Sequence, residues 1–537
     1  MATIRHIQAE VSSAELLAFL EDPASYRHCP EHVEIIQTHI SYVAMAPPYV
    51  FKVKKPVDFG FLDFSTLERR RFYCGEEVRL NRRLCAATYE GVVPIMRRQG
   101  ALAFGDEGDD DDAVEYAVKM KQLTDGFFLH QWLEQGALTP GHLDRVVATL
   151  TAFYRAETPT PEMAFWGRTE NLKISTDENF EQTEPYVGDL LTRPAFEAVR
   201  YYTNRFYDYH ARLLNCRRAE GHILDCHGDL HLEHIHLSPE GVCIYDGIEF
   251  NERLRYIDVA NDAAFLAMDL DFNGQPGLAA YFARHMAQTL DDPDLPVLLD
   301  FYKCYRAYVR AKVESMRSRE AEVPEAERQA SRERAQRYYR LALRYAVAGS
   351  KPLVVVVMGG IGSGKSTIAR RLGEALGWDV FSSDRTRKAM AGVPLYERGD
   401  QAALDALYTR HWTLATYDAL RDRALERTGK HQGTVLDASY SRRNLRDTLR
   451  AVLRQDGIAY CFVELKASEE TIKQRLRARQ DAHGLVTDAR LEDFERLRAR
   501  YEAPDHLEDA RHFTVSSDGS PEDAVREALE HLIRFNL

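Results

Sequence analysis

The stretch LVVVVMGGIGSGKST, residues 353–367, decides the fold of the second half of the chain. Its apolar run, Leu353 to Met358, suits a buried strand and is far too short to span a bilayer. Gly359-x-x-x-x-Gly364-Lys365-Ser366 follows directly and opens a helical segment, STIARRLGEALG. Strand, glycine loop and helix in that order are the context that gives this spacing its weight as a phosphate loop. Glycines let successive backbone N–H groups turn inward at a helix N-terminus, where an anion is stabilised. Gly359, Gly360, Ile361, Gly362, Ser363, Gly364, Lys365, Ser366 and Thr367 are therefore read as a nucleotide-phosphate cradle. Lys365 is expected to reach the β- and γ-phosphates, and Ser366 to hold Mg²⁺.

Strand-like and helical segments alternate after this point: DVFSSD, GTVLDAS and YCFVELKA each stand between helical stretches. That alternation predicts a parallel sheet covered on both faces. Ligands of such sheets sit at the carboxyl ends of the strands. Asp384 falls there, followed by Arg385, Arg387 and Lys388, and so do Asp437 and Ser439. Asp384 is placed to accept a proton from an attacking hydroxyl, and Asp437 to orient Mg²⁺ or its water. Arg475 and Arg479 share a helix face at i, i+4 and are expected to close over a transferring phosphoryl group.

The chain has 537 residues, which exceeds what one core usually supports. It is 45% hydrophobic and 28% charged, with a net charge of −13. Residues 351–537 carry 30 Lys and Arg against 29 Asp and Glu, so the deficit lies in residues 1–350. An acidic front half disfavours nucleic acid, while the arginine-rich back half leaves a phosphate-bearing partner open. Eight cysteines without a C-x-x-C pair predict free thiols in a reducing compartment. No basic-then-apolar leader pattern opens the sequence, so a cytoplasmic protein is expected, with no membrane partner.

At SSDRTRKAMAG, residues 382–392, the back half resembles small P-loop kinases related to zeta-type toxins, gluconate kinase and polynucleotide 5′-kinase. The resemblance implies transfer of the γ-phosphate of ATP to a hydroxyl, with Asp384 as the base. The arginine-finger and sensor segments of AAA motors are not evident, which weighs against a mechanical ATPase.

A second stretch, CHGDLHLEHIHL at residues 226–237, holds four histidines and two acids, and IYDG follows at residues 244–247. Ile235 and Leu237 with Val242, Ile244 and Tyr245 read as a short hairpin around SPEG. HGDLH and IYDG resemble the catalytic loop and metal-binding Asp of aminoglycoside phosphotransferases, which share the eukaryotic-like kinase architecture. The resemblance assigns Asp229 to the acceptor hydroxyl and Asp246 to Mg²⁺. It also implies Lys52 on a strand, with Lys54 on the same face, paired with Glu77 (or Glu76) on the next helix. Residues 115–123, with Met120, resemble the hinge that frames adenine. That family carries Asn five residues after the catalytic Asp as a metal ligand, and here the position is His234. Imidazole is a poor partner for Mg²⁺, so Mn²⁺ is expected to serve the front site better. A transition-metal reading of the histidines stays open.

Together the two halves resemble the bacterial two-domain family of aminoglycoside phosphotransferase/ATP-binding proteins. The expected fold is an α+β protein-kinase-like domain over residues 1–349, then an α/β P-loop domain with a parallel sheet over residues 350–537. The expected function is phosphotransfer from ATP, with Mg²⁺, to a hydroxyl of a small molecule. A nucleotide-binding regulator with a degenerate front domain is the alternative. Acceptor and oligomeric state are not encoded in any motif here.

Overall fold

Alternation of side chains along the first six strands sets the architecture of the front half, as described by a computed structural model. It covers residues 11–108, 111–396, 407–480, 490–507 and 511–537, the side chains at 479 and 480 excepted. Packing divides the chain into two units, Met1–Ser175 with Arg212–Tyr302, and Thr176–Ala211 with Lys303–Leu537.

In the first unit, β1 (Glu34–Gln37), β2 (Ser41–Ala46), β3 (Tyr49–Lys54), β4 (Tyr89–Arg98), β5 (Ala101–Phe104) and β6 (Ala113–Lys121) form one antiparallel sheet in the order β1-β2-β3-β6-β4-β5. Period-two alternation sends Phe51 and Val53 into one core with Phe19, Leu20 and Tyr26. Val50 points to the opposite face, into a core with Val78, Tyr89, Tyr116 and Met120. Lys52 and Lys54 share that second face, which the helix Leu67–Cys85 covers.

Helices dominate the rest of the first unit, interrupted by two small ribbons. β7 (Ile223–Asp225) pairs antiparallel with β10 (Tyr256–Asp258), and β8 (Ile235–Leu237) pairs with β9 (Val242–Ile244). The second ribbon is the hairpin read from the sequence, with Ile235 opposite Ile244 and Leu237 opposite Val242. Arg217, 1% exposed, fixes the first ribbon by binding Asp258 through Nε and Nη2 at 2.7 Å each. Its guanidinium also holds Asp292, at 2.8 Å from both Nη1 and Nη2.

One expectation is corrected here. Cys85, the last residue of its helix, forms a disulfide with Cys243 in β9, across a Cα–Cα distance of 4.6 Å. The partners stand 158 residues apart, so no local cysteine spacing announces them. The other six cysteines are free thiols, as expected.

In the second unit, β11 (Leu353–Gly359), β12 (Asp379–Ser382), β13 (Thr434–Asp437), β14 (Ala459–Lys466) and β15 (His512–Ser516) form a parallel sheet in the order β12-β13-β11-β14-β15. β11 is buried along its whole length, as an apolar run between two neighbours must be. The helix Glu325–Ala348 ends at Gly349, where φ is 62°, and packs on the helices Lys365–Leu376 and Pro521–Asn536. Arg344 donates to the carbonyl of Gly377 at 2.9 Å, and Asn536 to that of Tyr345 at 3.1 Å. By packing, this helix belongs with the second sheet, although it precedes the glycine at residue 349. Among the described residues, no helix is long and apolar enough to cross a membrane.

Arg217→Met keeps the length and apolar stem of the side chain but leaves Asp258 and Asp292 buried without a cation. Stability of the first unit is expected to fall by about 3–5 kcal/mol, read as a lowered unfolding midpoint in scanning calorimetry of the full chain. A midpoint within one degree of the parent contradicts the structural role given to this arginine.

Candidate active sites

The phosphate loop leaves β11 at Gly359, where φ is 140° and an added Cβ meets the carbonyl oxygen of Leu465 at 2.6 Å. Gly362 and Gly364 also have positive φ, 70° and 89°. The chain then enters the helix Lys365–Leu376, so the loop amides and the helix N-terminus face the same space. That space is a cavity of about 340 Å³. Its wall carries Gly359, Gly360, Ile361, Gly362, Gly364, Lys365 and Ser366, together with Asp384 and Asp437. Lys365 Nζ donates to the carbonyl of Gly360 at 2.7 Å, which leaves the ammonium at the loop. Asp437 ends β13 in register with Ser382 and Val357, so sheet pairing alone sets its position at the carboxyl edge. Burial raises the pKa of Asp437, against hydrogen bonds from Ser366 and Ser382 and the charge of Lys365. Asp384 stands in the first turn of the helix Ser383–Met390, two residues beyond the end of β12.

Five arginines, Arg387, Arg410, Arg442, Arg496 and Arg500, line the same cavity. With Lys365 they make six cationic groups against three acidic ones, Asp384, Asp437 and Asp493. Arg387 is 5% exposed; its Nη1 donates to Leu407 at 3.0 Å, and its buried Nε meets no hydrogen-bond acceptor. Sequence reading singled out Arg387 but not Arg410, Arg442, Arg496 or Arg500, or the ring of Tyr417. Arg442 could have been suspected from Ser439, three residues before it, whereas Tyr417, whose Oη is 3.1 Å from Ser439 Oγ, is brought there only by the fold. Arg496 and Arg500 sit at i, i+4, a face that only the tertiary fold turns towards the loop. Arg475, the expected lid residue, is not on the cavity wall. Its Nη1 donates to Ser517 Oγ at 3.3 Å and lies 3.5 Å from the carbonyl of Gly362. The side chain of Arg479 lies outside the described residues. Ser363 and Thr367 also belong to the loop and its helix; Ser363 accepts through its carbonyl from Ser517 Oγ at 2.8 Å.

In the first unit, Lys52 Nζ is 2.9 Å from Glu77 and 2.5 Å from Asp246. Lys54 binds Glu77 at 2.7 Å and also Glu249. Glu77 is thus the helix partner, whereas Glu76 pairs with Arg79 at 2.7 Å. Burial works against all these charges. Even so, Asp246 and Glu77 hold Lys52 charged, well above its ordinary pKa, and Lys52 holds the carboxyl of Asp246 below the usual range. Asp246 adopts φ 60°, with its N–H 3.2 Å from Tyr89 Oη. Met120 lies on β6 opposite Val50 and Tyr89, and its side chain joins the apolar core beneath the helix Leu67–Cys85.

Asp229 lies on a loop whose anchor the sequence reading missed. Buried Asp262, in the helix Val259–Phe272, accepts from the backbone N–H of His227 at 3.1 Å and of Gly228 at 2.9 Å. Tyr154 donates to the same carboxylate at 2.8 Å. Asp269, two helical turns on, accepts from the N–H of Leu232 at 3.0 Å. These contacts could have been suspected from the spacing of acids in NDAAFLAMD, where both face one side of a helix.

The histidines divide by role. His227 Nε2 contacts the carbonyl of Tyr245 at 2.9 Å, and His236 Nε2 that of Thr124 at 3.0 Å, so both brace the backbone. His234 instead stands between the carboxylates of Asp229 and Asp246. Its Nδ1 lies 3.5 Å from Asp229 Oδ2 and its Nε2 lies 3.6 Å from Asp246 Oδ2. Burial, then the neighbouring His231, pushes the pKa of His234 down to about 4, so the ring is neutral. The donor sets of the two units differ. Ser366 and Asp437 offer oxygen and fit Mg²⁺, whereas the imidazole of His234 beside Asp246 does not.

Comparison with known proteins finds two families matched in succession along the chain. The phosphotransferase enzyme family matches residues 76–301, and the AAA domain family matches residues 354–504. An uncharacterized protein of Mycobacterium tuberculosis is 29% identical over 479 residues, covering 87% of this chain and 92% of its own length. Shikimate kinase of Nitratidesulfovibrio vulgaris is 32% identical over 191 residues, 35% of this chain and 99% of that enzyme. Gluconokinase of Gluconobacter oxydans is 31% identical over 138 residues, 25% of this chain and 68% of that enzyme.

Asp262→Asn replaces an acceptor of two loop amides by a group that presents only one carbonyl oxygen. The amides of His227 and Gly228 are expected to exchange at least tenfold faster in hydrogen–deuterium exchange, with exchange in β2 and β3 unchanged. Equal protection in both proteins removes Asp262 as the anchor of the loop.

Proposed function

Since the chain belongs to the phosphotransferase enzyme family over residues 76–301 and to the P-loop kinases over residues 354–504, we propose that its second unit transfers the γ-phosphate of ATP to the hydroxyl of an anionic small molecule. One observation carries this reading: the phosphate loop, Asp384 and an arginine cluster line a single cavity. The chain as a whole has a net charge of −13, yet this wall holds six cations against three acids. Such an excess favours a carboxylate- or phosphate-bearing acceptor beside the nucleotide.

The chemistry assigned to each group follows from its place. Loop amides and Lys365 bind the β- and γ-phosphates. Mg²⁺, held by Ser366 and Asp437 through oxygen, supplies charge neutralisation on the phosphates when bound. Asp384 receives the proton as the acceptor oxygen bonds to phosphorus and the bond to the β-phosphate oxygen breaks. Arg387 and Arg442 orient the acceptor's anionic group. Guanidinium forks suit that task because two parallel N–H bonds fix a planar carboxylate. Arg475 supports the loop from Ser517 and acts through its position.

A second reading applies to the first unit alone. Lys52, Glu77, Asp229 and Asp246 have the arrangement of a kinase centre, but His234 stands where an oxygen ligand is needed. The first unit is therefore proposed to bind nucleotide with little turnover, Mn²⁺ supporting it better than Mg²⁺. The end of β6 that carries Met120 is proposed to border the adenine through its backbone, since the Met120 side chain lies in the core.

Lys365→Ala in the full chain is expected to lower ADP formation by about 10²-fold or more, since a transition-state cation is lost. Persistence within a few-fold places the turnover in the first unit. Asp384→Asn is expected to lower transfer by about 10²–10⁴-fold while ATP affinity stays within about threefold. A large loss of ATP affinity moves Asp384 to the metal. In an ADP-release panel of matched pairs, each a sugar acid with its parent sugar, only the acids are expected to stimulate turnover. Equal stimulation by the neutral partners contradicts the role of the arginines.

A further inference from the structure

Asp229, His231 and His234 present one carboxylate oxygen and two imidazole nitrogens within 4.8 Å of one another. The 3₁₀ turn Leu232–His234 brings them together by folding the chain back by one turn, so that residues 231 and 234 both face Asp229. That turn is fixed at both ends. Asp269 accepts from the N–H of Leu232 at 3.0 Å, and the carbonyl of His231 accepts from the N–H of His234 at 3.1 Å. The two rings lie 3.9 Å apart, centroid to centroid.

The spacing of the donor atoms is that of a coordination shell. Asp229 Oδ2 stands 3.5 Å from His231 Nε2 and 3.5 Å from His234 Nδ1. Ligands about 2.0–2.1 Å from a tetrahedral ion stand about 3.4 Å from one another. Two edges of such a shell are therefore already close to length without an ion. Both separations exceed that of a hydrogen bond. His234 Nδ1 instead contacts the backbone carbonyl of Asp229 at 3.0 Å, a contact that an ion on Nδ1 replaces.

The surroundings complete it. His231 and His234 side chains are 5% and 14% exposed, while Asp229 is 34% exposed, which leaves one side open for a water or ligand oxygen. On the far side of the His234 ring, Nε2 faces Asp246 Oδ2 at 3.6 Å, and Asp246 is itself held by Lys52. An ion on Nδ1 moves the ring proton from Nδ1 to Nε2, on the side of that carboxylate. At 3.6 Å this is a charge contact and not a hydrogen bond, so the carboxylate favours the proton on Nε2 electrostatically.

We propose that Asp229, His231 and His234 form a binding site for a divalent transition ion of the zinc class, selected over Mg²⁺ by its two imidazole donors. Two nitrogens and one carboxylate suit Zn²⁺, Co²⁺ and Mn²⁺, whereas Mg²⁺ demands oxygen and keeps its waters. The site does not depend on whether the first unit transfers phosphate.

The test uses metal-free full-length protein and the metals alone. Calorimetric titration with ZnCl₂ in excess MgCl₂ is compared for the parent, His231→Gln and His234→Asn. A parallel titration with CoCl₂ is followed by visible absorption. The parent is expected to bind one Zn²⁺ that each variant weakens at least about tenfold, the scale seen even for outer-shell losses. The visible Co²⁺ bands of a site with nitrogen donors are expected in the parent and absent from both variants. Circular dichroism identifies any variant that fails to fold. His234→Asn, the milder change, decides alone if His231→Gln is lost. Unchanged Zn²⁺ affinity and Co²⁺ bands in His234→Asn overturn the proposal, as does displacement of Zn²⁺ by Mg²⁺.

Discussion

No side chain fits at Gly359. Its Cα lies so near the neighbouring strand that an added Cβ meets the Leu465 carbonyl at 2.6 Å, and its φ of 140° is open to glycine. This single close approach lets β11 run fully buried to the sheet edge and still turn its last amides outward. The helix Lys365–Leu376, the position of Lys365 and the phosphate cradle all follow from that turn. So does the role of the neighbouring strand, because parallel register with β11 places Asp437 level with Val357 at the mouth of the loop. Substrate recognition is then a matter of what the remaining strand ends and helices add around a fixed cradle.

The first unit solves a similar problem with different parts. Here a buried charge network does the positioning: Lys52 and Lys54 leave one face of β3, meet Glu77 from the helix, and reach Asp246 and Glu249 from the segment after β9. Each charge is tolerated in the interior because another neutralises it. The loop bearing Asp229 is fixed by a second device, backbone amides bound to Asp262 and Asp269. The units diverge in metal chemistry. One offers oxygen from Ser366 and Asp437, and the other sets the neutral ring of His234 between two carboxylates.

What the sequence discloses and what it hides has a physical logic. The phosphate loop was legible because strand, glycines, lysine and helix lie within fifteen consecutive residues, and local geometry dictates their roles. The β8–β9 hairpin was legible for the same reason, as was the Lys52–Glu77 pairing once the kinase resemblance was recognised. The Cys85–Cys243 disulfide was not, since 158 residues of chain must fold before the two thiols meet. Nor was the convergence of Arg410, Arg442, Arg496 and Arg500, each of which reads in isolation as a solvated helix charge. Arg475 is the opposite case. Its helical spacing with Arg479 suggested a lid, but its guanidinium is taken up by Ser517 beside the loop. Asp262 was hidden because a buried acid in an apolar helix has meaning only through the amides it accepts from.

The central claim is that phosphate leaves ATP for an organic hydroxyl and not for water. Phosphorus-31 magnetic resonance of the full-length protein with ATP, Mg²⁺ and a mixture of hydroxy acids and sugar phosphates measures that partition directly. The account predicts a new phosphate monoester resonance that grows in step with ADP. Growth of inorganic phosphate alone, at the same rate with and without the mixture, contradicts it and identifies the second unit as a nucleotide hydrolase.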